Sequence, residues 1–117
     1  MGLRVITENF RALGGRAGAL NAILDLCEGA VGLCVDFGNF KGPDKYDELA
    51  ALMQRATSVH AKADFREELQ MDRTDFDRCL QLARDAAFAG PYSLIFSSPG
   101  DEWEGVAKTQ EVVEAWL

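Results

Sequence analysis

A chain of 117 residues, 48% hydrophobic and 26% charged, has the length of one small domain and enough apolar material to bury a core, which excludes a disordered chain. Its formal charge of −7, with 12 Lys and Arg scattered among 19 acids, repels polyanions and offers no basic stripe, so no nucleic-acid partner is expected. No apolar run approaches the ~18 residues of a membrane span, and the opening "MGLRVITENF" has neither the apolar core nor the cleavage site of a secretory signal, so neither membrane insertion nor export is expected.

In chain order, the first expected strand is "LRVIT" (Leu3 to Thr7), a β-branched apolar run that ends beside Glu8 and Asn9. Leu20, Ile23, Leu24 and Cys27 then recur at helical spacing, and Gly29 falls where that helix should stop. The second strand is "VGLCV" (Val31 to Val35), followed at once by Asp36 and, three residues on, Asn39. Pro43 suits a helix start, and Tyr46, Leu49, Ala50 and Met53 form the next stripe. "TSVHAKA" (Thr57 to Ala63) is the third strand and carries His60 and Lys62. Thr74 with Asp77 resembles a capping box with a shortened acid. It opens a helix whose stripe is Phe76, Leu80, Ala83 and Ala87 and whose stop is Gly90. "YSLIF" (Tyr92 to Phe96) and the weaker stripe Val106, Val113 and Trp116 complete a fourth unit.

Strand alternating with helix predicts an α/β fold of parallel strands joined by right-handed crossovers. Nearly continuous apolar strands fit burial on both faces. Four βα units are half of a (β/α)8 barrel, a fold of ~250 residues. A half-barrel standing alone exposes two sheet edges and an inner face. The expectation is therefore one domain over residues 1–117, completed by self-association as a homodimer. Cys27, Cys34 and Cys79 are odd in number, lack CxxC spacing and sit among apolar neighbours, the pattern of free thiols in a reducing, cytoplasmic setting.

In parallel α/β folds the ligand lies beyond the carboxyl ends of the strands. That rule collects Glu8, Asp36 and His60, with Asn39 and Lys62 beside them, from three consecutive strands. Taken singly, each has a plainer role. Glu8 can be a solvated helix-start acid, Asp36 a turn former, and a lone histidine a hydrogen-bonded structural residue. Lys62 and Arg66 can be surface charges paired with Asp64, Glu67 and Glu68, contacts that contribute ~0–1 kcal/mol. Convergence at equivalent strand ends favours a shared site. Two carboxylates and an imidazole suit Mn²⁺, Mg²⁺, Co²⁺ or Zn²⁺.

The stretches "VITENF", "VGLCVDFGNF", "SVHAKADF" and "GPYSLIFSSPGDEWEGVAKTQEVVEAWL" resemble, in order and spacing, the C-terminal half of the xylose-isomerase-like TIM barrels, the sugar phosphate isomerase/epimerase family. The resemblance implies that Glu8, Asp36 and His60 bind a divalent metal and that Glu8 also transfers a proton. It further implies that Asn39, Lys62 and Arg66 contact a small sugar or sugar phosphate. The implied chemistry is aldose–ketose isomerisation or epimerisation, with the metal steadying an enediolate and glutamates moving the proton. The chain departs from the family in two respects. Its four N-terminal units are absent. The glutamate that usually ends the last strand, a ligand and second base, is replaced by Ile95, which can do neither. A non-catalytic half-barrel that serves as an interaction protein or relic is the alternative reading. A metal-dependent abasic-site endonuclease shares the barrel but needs more His and Glu ligands and basic phosphate contacts than one histidine and a charge of −7 provide.

Overall fold

The structure, a computed structural model, describes residues 2–117. Its frame is a parallel sheet of β1 (Val5–Glu8), β2 (Val31–Asp36), β3 (Ala56–Lys62) and β6 (Tyr92–Ile95), in the spatial order β1-β2-β3-β6. Between β3 and β6 a small antiparallel hairpin, β4 (Phe65–Arg66) and β5 (Gln70–Met71), encloses a single 3-10 turn. Five helices accompany the strands among the described residues: α1 (Arg11–Gly14), α2 (Ala17–Leu26), α3 (Lys45–Met53), α4 (Arg73–Asp85) and α5 (Glu102–Trp116). The fold is thus mixed α/β on a four-stranded parallel sheet, in which each of the four predicted strand runs is a sheet strand.

Alternation along the strands divides the sheet into two faces. Leu33, Val35, Val59 and Ala61 point to the helix layer and are completely buried. They meet Leu20 and Leu24 of α2, Leu49, Leu52 and Met53 of α3, Phe76, Leu80 and Ala83 of α4, and Val112 and Val113 of α5. Phe37, just past β2, packs edge-on to Phe76 with ring centroids 6.2 Å apart. Each such buried side chain contributes ~1.5–3 kcal/mol, so this layer holds the sheet. The register pairs Glu8 with Cys34, Asp36 with His60, His60 with Ser93 and Lys62 with Ile95, which puts all of these on the opposite face. The ladder between β2 and β3 slips at Leu33/Cys34, and Thr57 fills the irregularity. Its hydroxyl accepts from the Leu33 N–H (3.2 Å) and donates to the Leu33 carbonyl (3.1 Å).

Several local expectations need correction. Ala50 is exposed, and the third core residue of α3 is Leu52, because Leu49, Leu52 and Met53 at i, i+3 and i+4 make the tighter stripe. Helix α4 begins earlier than Thr74 and Asp77 suggested. Asp72 is its cap, accepting from the Asp75 N–H at 3.1 Å, while Asp77 pairs with Arg73 and accepts from the Trp116 indole N–H. The same helix stops at Asp85, so Ala87 lies beyond it, exposed and in the left-handed region at φ 55°. Gly90 is therefore no helix stop. A Cβ there would meet the Thr57 carbonyl at 2.8 Å, so glycine permits the chain to cross β3 closely on its way into β6. Pro43 precedes the α3 cap residue, Asp44, by one position.

Candidate metal centre

The carboxyl ends of β1 and β2 and the last residues of β3 deliver three side chains to one point. Glu8 and Asp36 are the final residues of their strands, and His60 lies two residues before the end of β3, directly across from Asp36. The His60 Nδ1 atom is 3.3 Å from Glu8 Oε1 and 3.4 Å from Asp36 Oδ2. One ligating atom from each of the three residues falls within 4.8 Å of the others. Two hard oxygens and one imidazole nitrogen suit Mn²⁺, Mg²⁺, Co²⁺ or Zn²⁺. The fit is chemical as well as geometric. Asp36 has a side chain only 3% exposed, and a buried carboxylate is costly unless cations or donors compensate it.

Main-chain contacts fix Asp36 in place. Its Oδ1 accepts from the Gly38 N–H at 2.7 Å, which leaves Oδ2 directed at His60. Its backbone is clasped by Asn9, which is wholly buried. The Asn9 Oδ1 accepts from the Asp36 N–H (2.6 Å), and the Asn9 Nδ2 donates to the Asp36 carbonyl (3.0 Å). One amide side chain thereby ties the end of β1 to the end of β2 and satisfies two buried backbone groups. The Phe37 N–H continues toward β3, donating to the His60 carbonyl at 3.2 Å. The Asp-Phe-Gly-Asn turn is both things at once, a turn by its glycine and a carboxylate holder by its first residue.

Lys62 and Asn39 complete the cluster. The Lys62 ammonium donates to Asn39 Oδ1 (2.8 Å) and stands 4.0 Å from Asp36 Oδ1. The Asn39 amide donates to Glu8 Oε1 (3.1 Å) and to the Asn9 carbonyl (3.0 Å). Gly38 makes this possible, since a Cβ there would lie 2.9 Å from Lys62 Cγ and 3.0 Å from its Cδ and Cε. The lysine stem lies across the glycine to reach the site. Arg66 is not part of this arrangement. It sits on the β4–β5 hairpin with its side chain 75% exposed and pairs with Asp72. It shares the strand histidine's sequence neighbourhood, but the hairpin carries it away to Asp72, the cap residue of α4.

No family model and no curated protein matches the chain.

The remaining face residues set the character of the site. Cys34, paired with Glu8 in the ladder, is buried, and burial together with the carboxylates of Glu8 and Asp36 raises its thiol above the ordinary value despite a hydrogen bond with Ser58. Cys34 is not among the residues whose ligating atoms converge, so the donor set is two carboxylates and an imidazole. Cys79 is pushed up to about 12 by burial among the α4 core residues. All three cysteines are free thiols. Ile95 ends β6 opposite Lys62, half-buried, and brings no donor to this end of the sheet. Asp101, in the loop that follows, is engaged elsewhere as the cap of α5, accepting from the Glu104 N–H at 2.8 Å. Among the described residues no helix is long and apolar enough to cross a membrane.

The parts that sequence reasoning left unassigned are the clasp and the glycine platform. Asn9 was visible only as a neighbour of Glu8, although an asparagine after a strand-end acid does offer a paired donor and acceptor. Gly38 carried only a turn signal.

Proposed function

We propose that this chain is the C-terminal half of a xylose-isomerase-like (β/α)8 barrel and acts as a metal-dependent isomerase of a small sugar or sugar phosphate. The observation that carries the reading is the convergence of Glu8, Asp36 and His60, with ligating atoms within 4.8 Å of one another at the carboxyl ends of parallel strands. A divalent cation held by these residues supplies Lewis-acid polarisation of a substrate carbonyl and hydroxyl. The rest of the chemistry belongs to the chain. Glu8 is the more accessible carboxylate, 34% exposed against 3% for Asp36, and is the group suited to take a proton from the carbon beside the carbonyl and deliver it to the former carbonyl carbon, while the hydroxyl proton passes to the former carbonyl oxygen. The Lys62 ammonium and Asn39 amide, in contact with each other beside Glu8, are donors for the substrate's oxygens.

Ile95 limits the reaction type. Inversion at a carbon requires a proton removed from one face and delivered to the other, hence two bases on opposite sides. Aldose–ketose isomerisation needs one base that works on a single face. With an alkyl group at the end of β6, isomerisation is favoured over epimerisation. A second reading, a non-catalytic half-barrel that binds a partner, draws on the same residue. The experiment that separates them incubates the protein with Mn²⁺ and a panel of small aldoses, ketoses and their phosphates in D2O. Mass spectrometry then follows deuterium at the carbon beside the carbonyl. Isomerase function predicts metal-dependent incorporation that is lost in Glu8→Gln. No incorporation with any of the four candidate metals leaves the non-catalytic reading.

A further inference from the structure

Strand β6 brings no ligand to the ion site, yet two of its side chains stand on the face that carries the site. The register sets Ser93 beside His60 and Ile95 beside Lys62. Ser93 therefore shares a row with Asp36 and His60, and Ile95 stands one pleat above that row. Neighbouring strands are ~4.8 Å apart, and two residues along a strand cover ~6.6 Å. Ser93 is exposed and Ile95 half-buried. Tyr92 and Leu94, which alternate with them, pack against the core under the helices, whereas Ile95 faces away from it. A bulky alkyl group that the core does not use is thus presented beside a cluster of charged and polar side chains.

The neighbours of Ile95 decide what it can meet. His60 is the member of the site nearest β6, and a molecule on the open face that touches it has Ser93 as its next neighbour. Lys62, level with Ile95 on β3, is drawn the other way. Its stem crosses Gly38, and its ammonium is fastened to Asn39 Oδ1 at 2.8 Å. Beside β6 a bound molecule therefore meets a hydroxyl in the row of the ion site and an alkyl group one pleat further on, a separation that a hexose chain spans. The Ser93 hydroxyl both donates and accepts, so it can pair with a sugar hydroxyl. A hydroxyl or phosphate laid against Ile95 gives up water and finds no partner there, which costs affinity. A methyl group in the same place only gains by leaving water.

We propose that β6 selects the substrate: Ser93 pairs with a hydroxyl of a sugar whose carbonyl end lies at Glu8, Asp36 and His60, and Ile95 packs on a methyl terminus. The ligand is then a terminally deoxygenated sugar and not a sugar phosphate. The inference rests on the sugar reading of the site and narrows it. It is tested by ligand-observed NMR on the full chain loaded with Zn²⁺. The probes are 6-deoxymannose, mannose and mannose 6-phosphate, with the same three forms of galactose and fructose, so that members of a series differ only at the terminal carbon. In at least one series the deoxy sugar is expected to bind about tenfold tighter than the hydroxylated one, its methyl protons receiving the strongest saturation from the protein. Ile95→Ser is expected to remove that margin, and Ser93→Ala to weaken both members alike, with far-UV circular dichroism unchanged in each. A margin absent or reversed in the wild type, or one that survives Ile95→Ser, overturns the inference and leaves the sugar reading in place. Protein that holds the ion and binds no probe overturns both.

Discussion

On the helix side of the sheet Leu33, Val35, Val59 and Ala61 are completely buried, whereas on the opposite face Glu8 of β1 and His60 and Lys62 of β3 keep side chains 34%, 30% and 21% exposed. Backbone, register and hydrogen bonding are shared by the two faces. The difference is side-chain chemistry alone, distributed by the two-residue period of a strand. One face supplies free energy of folding through apolar burial. The other uses that rigidity to hold charged groups close together, an arrangement that a flexible loop would relax. The strand ends are where both demands meet, and there the backbone of Asp36 is clamped by Asn9 while its side chain stays available on one oxygen.

The sharpest way to break this contrast is to truncate one residue on each face. Phe76→Ala, deep under the helix layer, is expected to cost about 3–5 kcal/mol in urea unfolding, through lost burial and an unfilled cavity. Ile6→Ala, on the open face and 51% exposed, is expected to cost under about 0.5 kcal/mol in the same measurement. Comparable losses would mean that the open face is packed in solution. Asn9→Leu tests the junction between the faces. It keeps the approximate volume but strands the N–H and carbonyl of Asp36, so a loss of about 2–3 kcal/mol is expected. The Asp36 amide should exchange with deuterium faster than that of Val35, and equal protection would exclude the clasp.

A smaller effect than that of the clasp concerns a helix end remote from the site. The Asp75 N–H holds the Asp72 carboxyl below its ordinary value, with Arg66 adding to the same direction. A group depressed in the folded state contributes stability that is full above its unfolded value and is lost as pH falls through the folded one. Asp72→Ala is therefore expected to cost about 1 kcal/mol near neutral pH. The gap from wild type should shrink as pH drops below the ordinary 3.8. A gap that does not change with pH would show that the cap acts by shape and not by charge.

Much of this molecule was legible in its sequence because strands and strand-end acids are local signals. Val31 to Val35 is a β-branched apolar run followed at once by a carboxylate, and the rule that ligands gather beyond strand ends was enough to collect Glu8, Asp36 and His60. What escaped depends on tertiary register. The Asn9 clasp exists because β1 and β2 are staggered so that residue 9 of one meets residue 36 of the other. Gly38 matters because the Lys62 stem crosses it, a contact between residues 24 apart in the chain, counting from 38 to 62. The β4–β5 hairpin has two residues per strand and no periodicity to read; the family resemblance sets Arg66 beside the substrate, whereas the structure pairs it with Asp72.

The proposed ion site at the end of the open face draws its ligands from three strands. Calorimetric titration of Mn²⁺ into metal-free protein tests it directly. One ion per chain is expected, with Asp36→Asn and His60→Ala each lowering affinity by at least tenfold while the circular dichroism stays that of the wild type. Absence of binding in the wild type, or binding unchanged in both variants, would contradict it.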